Sequence, residues 1–172
     1  MIQGRLEGPA FYCGDFVNTD LICPGRYEPF PDTATLARVA LIDYESATPF
    51  VRPDTGRSDY VVIFAGVEFG CGSSRETAPQ ALHHAGARVV VARSFARIFY
   101  RNCVNMGLLL PIRYPHPFDE GVIGQHTVVD LTARTFTVAG QSFPVPDFGP
   151  VAEIIAAGSL TAYTKRRLGA SA

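Results

Sequence analysis

No stretch of the sequence approaches the roughly 18–20 consecutive apolar residues that a membrane-spanning helix requires. The densest run, Val61 to Val67, is strand-sized and contains Gly66, so no membrane partner is expected. The N-terminal segment, Met1 to Gly8, includes Arg5 and Glu7 and has no apolar core. A secretory signal is therefore not expected, and a cytoplasmic location is. An excess of charge is also lacking. Fifteen basic against sixteen acidic residues leave a formal charge of −1, which gives no electrostatic reason to expect nucleic acid. No CxxC pair occurs among Cys13, Cys23, Cys71 and Cys103. Such scatter is neither a zinc nor a ferredoxin-type ligand set. Nor is it a disulfide framework, because a chain of this length can build its own core. The expectation is four ordinary thiols, no bound metal, and no iron–sulfur cluster held by this chain alone.

What is present is a globular composition. Of 172 residues, 47% are apolar and 18% charged, enough for one domain with a substantial core. No repeat, low-complexity tract or linker divides it. The expected domain covers residues 1–168, and 169–172 form a frayed tail.

A first strand is expected around Ile2 to Tyr12, followed by an irregular stretch from Cys13 to Pro31 rich in Gly, Pro and Asp. Loops longer than about 12–15 residues are uncommon in compact domains and tend to be functional. Asp32 is suited to cap a helix over Thr33 to Leu41, with Leu36, Val39 and Ala40 on one face. Tyr60 to Phe64 and Arg88 to Ala92 read as buried strands. Between them a helix tolerates Pro79 near its first turn and ends at Gly86. Ser94 is placed to cap a helix carrying Phe95, Ile98, Phe99 and Cys103, and Leu108 to Pro111 would form a short strand. Thr127 to Leu131 and Thr135 to Val138 form a hairpin about Thr132, Ala133 and Arg134, with Gln141 to Val145 as a third strand. A helix over Phe148 to Ala157 ends at Gly158, and Ser159 caps a last one. Alternating strands and helices, then a run of strands, indicate a mixed α/β layered domain.

Chemistry concentrates in Phe69-Gly-Cys-Gly-Ser-Ser-Arg-Glu-Thr-Ala78, between a strand and a helix. Gly70 and Gly72 open backbone conformations closed to other residues. Ser73, Ser74 and Arg75 are expected at or just before a helix N-terminus, where free N–H groups and the helix dipole favour anions. A guanidinium can also grip a carboxylate in a bidentate fork. From residue types alone, two readings stand level: a carboxylate-binding corner, or helix-capping serines beside a solvated arginine. A Walker loop is excluded because no lysine is near. A nucleophile elbow is excluded because no glycine follows two residues after either serine.

GCGSSRE followed by Ala78-Pro-Gln-Ala-Leu82 resembles the signature of 3-isopropylmalate dehydratase small subunits and of the aconitase swivelling domain. Ala92-Arg-Ser-Phe-Ala-Arg-Ile-Phe-Tyr-Arg-Asn102, with Asn105 and Gly107, resembles that family's next block. Gly14-Asp-Phe-Val-Asn-Thr-Asp-Leu-Ile-Cys-Pro-Gly-Arg-Tyr27 resembles its N-terminal one. Three blocks in order cover nearly the whole chain.

The resemblance implies a three-layer β/β/α swivelling domain, and a subunit active only with a large subunit that carries a [4Fe–4S] cluster. It gives Ser73 the role of base, removing a proton beside a carboxylate. Ser74 and Arg75 would bind the substrate carboxylate, and Thr19 and Asp20 fall where the family has an active-site acid. A Thr-Asp pair in a loop is otherwise a common turn device. The reaction would dehydrate and rehydrate a hydroxy acid, with 3-isopropylmalate and 2-isopropylmalate expected as its substrates. Substrate choice is attributed to the loop after Pro24-Gly-Arg, here Tyr27, Glu28, Pro29 and Phe30. Pro29 stands where an arginine can occur, which argues against a distal carboxylate as in homoaconitate. Phe30 favours an apolar substituent. Glu28 is unusual and leaves open a different small malate derivative; the alternative is a related dehydratase acting on another substituted malate or tricarboxylate, such as dimethylmalate, homoaconitate or citrate. Thr77 replaces a common histidine.

Other residues receive plainer expectations. His83 and His84 should form a solvated helix face. Cys71 should be a small filler beside the serines. Arg93, Arg97 and Arg101 should share one exposed helix face that could meet a large subunit. Two further functions compete. A non-catalytic carboxylate-binding module would bind hydroxy acids without a partner. A self-sufficient serine hydrolase lacks any histidine or aspartate in a recognisable motif with Ser73.

Overall fold

The computed structural model describes residues 4–27 and 32–169. Their strands are β1 (Arg5–Cys13), β2 (Val62–Ala65), β3 (Val89–Ala92), β4 (Leu110–Arg113), β5 (His126–Asp130), β6 (Thr135–Val138) and β7 (Gln141–Pro144). They form one seven-stranded sheet of order β4-β3-β2-β1-β5-β6-β7. β1 belongs to two ladders. Ala10 to Cys13 pair parallel with β2, whereas Arg5 to Pro9 pair antiparallel with β5. β2, β3 and β4 continue the parallel half, and β5, β6 and β7 the antiparallel half.

β2 and β3 are buried along their whole length, which is why they read as unbroken apolar runs. Their side chains alternate between two cores. Ile63, Ala65, Val90 and Ala92 join a cluster with residues of the helices α2 (Thr33–Val39), α3 (Thr77–Ala85) and α4 (Arg97–Met106). Val62, Phe64, Val89 and Val91 face Val129, Phe136 and Val138 of the antiparallel half. The rings of Phe64 and Phe136 lie 6.0 Å apart, although two strands separate β2 from β6 in the ladder. The sheet therefore curls over its own centre. Helices, parallel strands and antiparallel strands make the three layers of a mixed α/β, β/β/α fold.

Local expectations hold unevenly. Asp32 caps α2 by accepting from the Thr35 N–H at 2.7 Å, and Ser159 caps α6 (Leu160–Arg167) by accepting from the Ala162 N–H at 3.1 Å. The irregular stretch after Cys13 holds a short helix, α1 (Thr19–Ile22), and a 3-10 turn at Gly25–Tyr27. β4 begins two residues later than expected. The helix expected from Phe148 divides into a 3-10 turn, Gly149–Val151, and α5 (Ala152–Ala157), because Gly149 has φ +58° and Pro150 follows it.

Four side-chain expectations are corrected. Ser94 does not cap α4, whose N-cap is Ala96. Its hydroxyl instead accepts from the Glu68 N–H at 2.8 Å and donates to the Glu68 carboxylate at 3.1 Å. Ile98 is about half exposed, because Phe95, Phe99 and Cys103 occupy the core-facing row. His83 is not on a solvated face: its Nδ1 lies 2.9 Å from the Leu108 carbonyl, and burial, then Arg88, lowers its pKa. Arg93 lies in the loop before α4, so only Arg97 and Arg101 share its helix face. No helix among the described residues is long and apolar enough to cross a membrane.

Candidate active site

The parallel strands all end at one edge of the sheet, where open α/β sheets place their ligands. The chain leaving β1 and the chain leaving β2 run side by side across this edge. The Gly66 N–H donates to the Gly14 carbonyl at 3.1 Å, and the Phe16 N–H to the Val67 carbonyl at 2.8 Å. Further along, the Gly70 N–H donates to the Val17 carbonyl and the Thr19 N–H to the Cys71 carbonyl, both at 2.8 Å. Asn18 then starts α1 by accepting from the Leu21 N–H at 2.8 Å. This backbone zipper brings Asn18-Thr-Asp20 against Ser73-Ser-Arg75.

Thr19 is buried, and its hydroxyl donates to the Ser73 carbonyl at 3.1 Å. The same carbonyl accepts from the Arg75 N–H at 2.9 Å. The Arg75 guanidinium donates to the Asp20 carboxylate at 2.5 Å and to the Cys23 carbonyl at 3.2 Å. The Asp20 carboxylate also accepts from the Gly25 N–H at 3.2 Å. These contacts, Arg75 first and Gly25 second, hold the Asp20 pKa below the ordinary carboxylate value. A side chain at Gly25 would lie 2.8 Å from the guanidinium, so glycine lets the turn close over Arg75. Gly70 has φ +80° and packs directly on the Phe99 ring of α4, where a Cβ would come within 2.2 Å.

Ser73 and Ser74 are exposed, and neither hydroxyl has a hydrogen-bond partner among the described residues. α3 starts only at Thr77, with Glu76 as an N-cap that makes no side-chain bond. The serines thus stand further from the helix than expected and do not cap it, which removes the capping alternative. Cys71 is partly buried and donates weakly to the Phe16 carbonyl at 3.5 Å, as a small filler would. The cavities of about 420 and 310 Å³ lie elsewhere, lined by Leu41 and Phe50 and by Leu131 and Phe148. Ser73 and Ser74 line neither, and their corner opens directly to the surface.

Of the expected specificity loop, Tyr27 packs partly buried against the helical core. The Arg26 guanidinium lies 4.8 Å over its ring and grips Asp43 through both nitrogens, at 2.5 and 2.8 Å. Glu28, Pro29 and Phe30 lie outside the described residues, as do residues 170–172 of the expected tail. Sequence reasoning missed the parts played by the Cys23 carbonyl and the Gly25 N–H. Neither is a chemically marked side chain, and only the Cys-Pro-Gly spacing hints at them. No three His, Cys, Asp or Glu side chains converge as a metal site among the described residues.

Residues 50–117 match the aconitase C-terminal domain. The chain is 37% identical to the 3-isopropylmalate dehydratase small subunit of Thermodesulfovibrio yellowstonii, over 95% of this chain and 96% of that protein. It belongs to the 3-isopropylmalate dehydratase small-subunit family. Family membership extends to three dimensions: the crystal structure of the 3-isopropylmalate dehydratase from Methanocaldococcus jannaschii superposes with a TM-score of 0.78 at 37% identity, covering 95% of each chain. A methanogen homoaconitase small subunit from Methanothermobacter thermautotrophicus is 47% identical over 107 residues, 62% of this chain and 60% of that one. The dehydratase small-subunit family is one of hydro-lyases within the aconitase family.

Proposed function

We propose that this chain supplies the proton-transfer half of a hydro-lyase site whose other half lies on a large subunit. The observation that carries this reading is the corner itself. Two exposed hydroxyls with no protein partner stand beside an arginine fixed by Asp20, at a surface that a second polypeptide can close.

Ser73 is the base. A serine hydroxyl is a weak base at its free pKa and acts as one only where positive charge and donors favour the alkoxide. Arg75 supplies that charge one residue beyond Ser74. Ser74 and Arg75 grip the substrate carboxylate and steady the charge that develops as the adjacent C–H is broken. Thr19 and Asp20 act at one remove, holding the Ser73 carbonyl and the guanidinium in place.

Among the described residues no three His, Cys, Asp or Glu side chains converge, and three of the four cysteines are buried, so the residues present do not fit an iron–sulfur cluster, and its ligands are assigned to the large subunit. The assembly we propose is a cytoplasmic heteromer acting on 3-isopropylmalate and its 2-isomer, a substrate choice supported by relatives named 3-isopropylmalate dehydratase small subunit. Pro29 in place of a cation and the apolar Phe30 support that choice. The homoaconitase relative favours a second reading, in which the acid carries a further carboxylate.

The test is reconstitution with the large subunit and a panel of hydroxy-diacids and -triacids. Ser73→Ala should lower kcat by roughly 10²–10⁴-fold while the complex still forms. Near-normal turnover by that variant would remove Ser73 as the base. A higher kcat/KM for homoaconitate than for isopropylmalate would select the second reading.

A further inference from the structure

Phe16 is held in an unfavourable state twice over. Its φ is +55°, a left-handed conformation that a bulky residue rarely adopts, and the residue is 62% exposed. The backbone cannot relax, because the Phe16 N–H donates to the Val67 carbonyl and the Phe16 carbonyl accepts from the Cys71 thiol. The backbone that carries the ring is therefore tied to the loop that leads to Ser73. Strain that the surroundings impose at such a place points to a use.

The neighbouring surface supplies the rest of an interface. The loop holding Val67 and Glu68 is tied to Ser94, and the Arg93 N–H donates to the carbonyls of Ala65 and Gly66. Beyond it α4 exposes Arg97 and Arg101, one turn apart, with Ile98 beside them at 48% exposure. Arg93, Arg97 and Arg101 have no acidic partner among the described residues. The acids on the same edge are engaged locally: Asp15 accepts from the Val67 N–H and Glu68 from the Ser94 hydroxyl. An exposed aromatic ring joined through the Val67–Glu68 loop to exposed arginines has the residue types that interface centres favour. It adjoins the open serine corner, because the Phe16 carbonyl accepts from the thiol of Cys71, two residues before Ser73.

We propose that Phe16 is the anchor by which this chain docks on its large subunit, inserting its ring into an apolar pocket whose rim carries carboxylates facing Arg93, Arg97 and Arg101. This rests on the heteromeric reading above. The arginines steer the encounter over a distance set by ionic strength, about 10 Å at 0.1 M salt, and the seated ring then slows dissociation.

The test measures association of the full chain with its cluster-bearing large subunit at 50 and 300 mM NaCl. Phe16→Gly removes the ring and relieves the backbone, so it separates docking from folding. It should keep or raise the thermal midpoint while weakening association roughly tenfold or more. Arg97→Glu with Arg101→Glu should slow association roughly tenfold at low salt and much less at high salt. Turnover of the complex, once saturated with partner, should be unchanged in both. Association unaltered by Phe16→Gly and by the double reversal would overturn the docking surface, whatever the catalytic assay shows. Conversely, Ser73→Ala tests catalysis without touching this surface, so its failure would leave the docking result standing.

Discussion

The Asp20 carboxylate meets the Arg75 guanidinium at 2.5 Å across 55 residues of sequence, and this pair joins the loop after β1 to the loop after β2. Arg75 is the main reason that the Asp20 pKa lies below its ordinary value, with the Gly25 N–H second. A depressed carboxylate contributes its stabilisation above the unfolded value, about 3.9, and loses it as pH falls through the lower folded value. The pair is thus intact at neutral pH and breaks only in acid. Carbon NMR titration should find Asp20 titrating below an unpaired aspartate, and Arg75→Met should raise its midpoint. An unmoved midpoint would show that the guanidinium does not act on Asp20.

Thr19 tests the same junction from beneath. Its buried hydroxyl holds the Ser73 carbonyl, so Thr19→Val should cost about 1 kcal/mol in urea unfolding. Its larger effect should be on kcat in the reconstituted enzyme, because the serine loses its support. Thr19→Ser keeps the hydroxyl and should restore most of both.

Gly25 and Gly70 separate close approach from backbone strain. At Gly70 an added Cβ would meet the buried Phe99 ring at 2.2 Å with φ at +80°. Gly70→Ala should therefore destabilise by roughly 2–4 kcal/mol, from left-handed strain and overpacking together. At Gly25 the nearest atom is the movable end of Arg75. Gly25→Ala should cost about 0.5 kcal/mol or less, yet raise KM by displacing the guanidinium. Equal losses of stability in denaturant at the two positions would contradict this division.

The residue types and order of the site were legible in the sequence, because Gly-Cys-Gly-Ser-Ser-Arg and Asn-Thr-Asp carry donors and acids at fixed spacing. Their meeting was not. It depends on the backbone zipper between Gly14 to Thr19 and Gly66 to Cys71, which uses main-chain groups that every residue possesses. The buried strands were legible for a related reason: Val62–Ala65 and Val89–Ala92 are apolar on both faces. The curl that sets Phe136 on Phe64 involves partners more than 70 positions apart, beyond any local pattern. Ser94 misled because a serine before a helix suits an N-cap, yet tertiary structure spent its hydroxyl on Glu68. His83 misled likewise, since its acceptor, the Leu108 carbonyl, lies on the strand side of α4's far end.

Thiol reactivity offers a check on how the site corner is exposed. Cys13, Cys23 and Cys103 are buried, and burial pushes the thiols of Cys13 and Cys103 far up from their ordinary value. A buried thiol that resists ionisation is a poor nucleophile. Cys71 is partly exposed, two residues before Ser73. A maleimide at pH 7.5 should thus label Cys71 first, as peptide mass spectrometry would read, and label the other three only after denaturant is added. A bulky adduct at Cys71 should also block turnover with the large subunit, whereas Cys71→Ala should abolish fast labelling and retain activity. Rapid labelling of Cys13 or Cys103 in the folded chain would mean that the loops after β1 and β2 open in solution, and that the corner is assembled only by its partner.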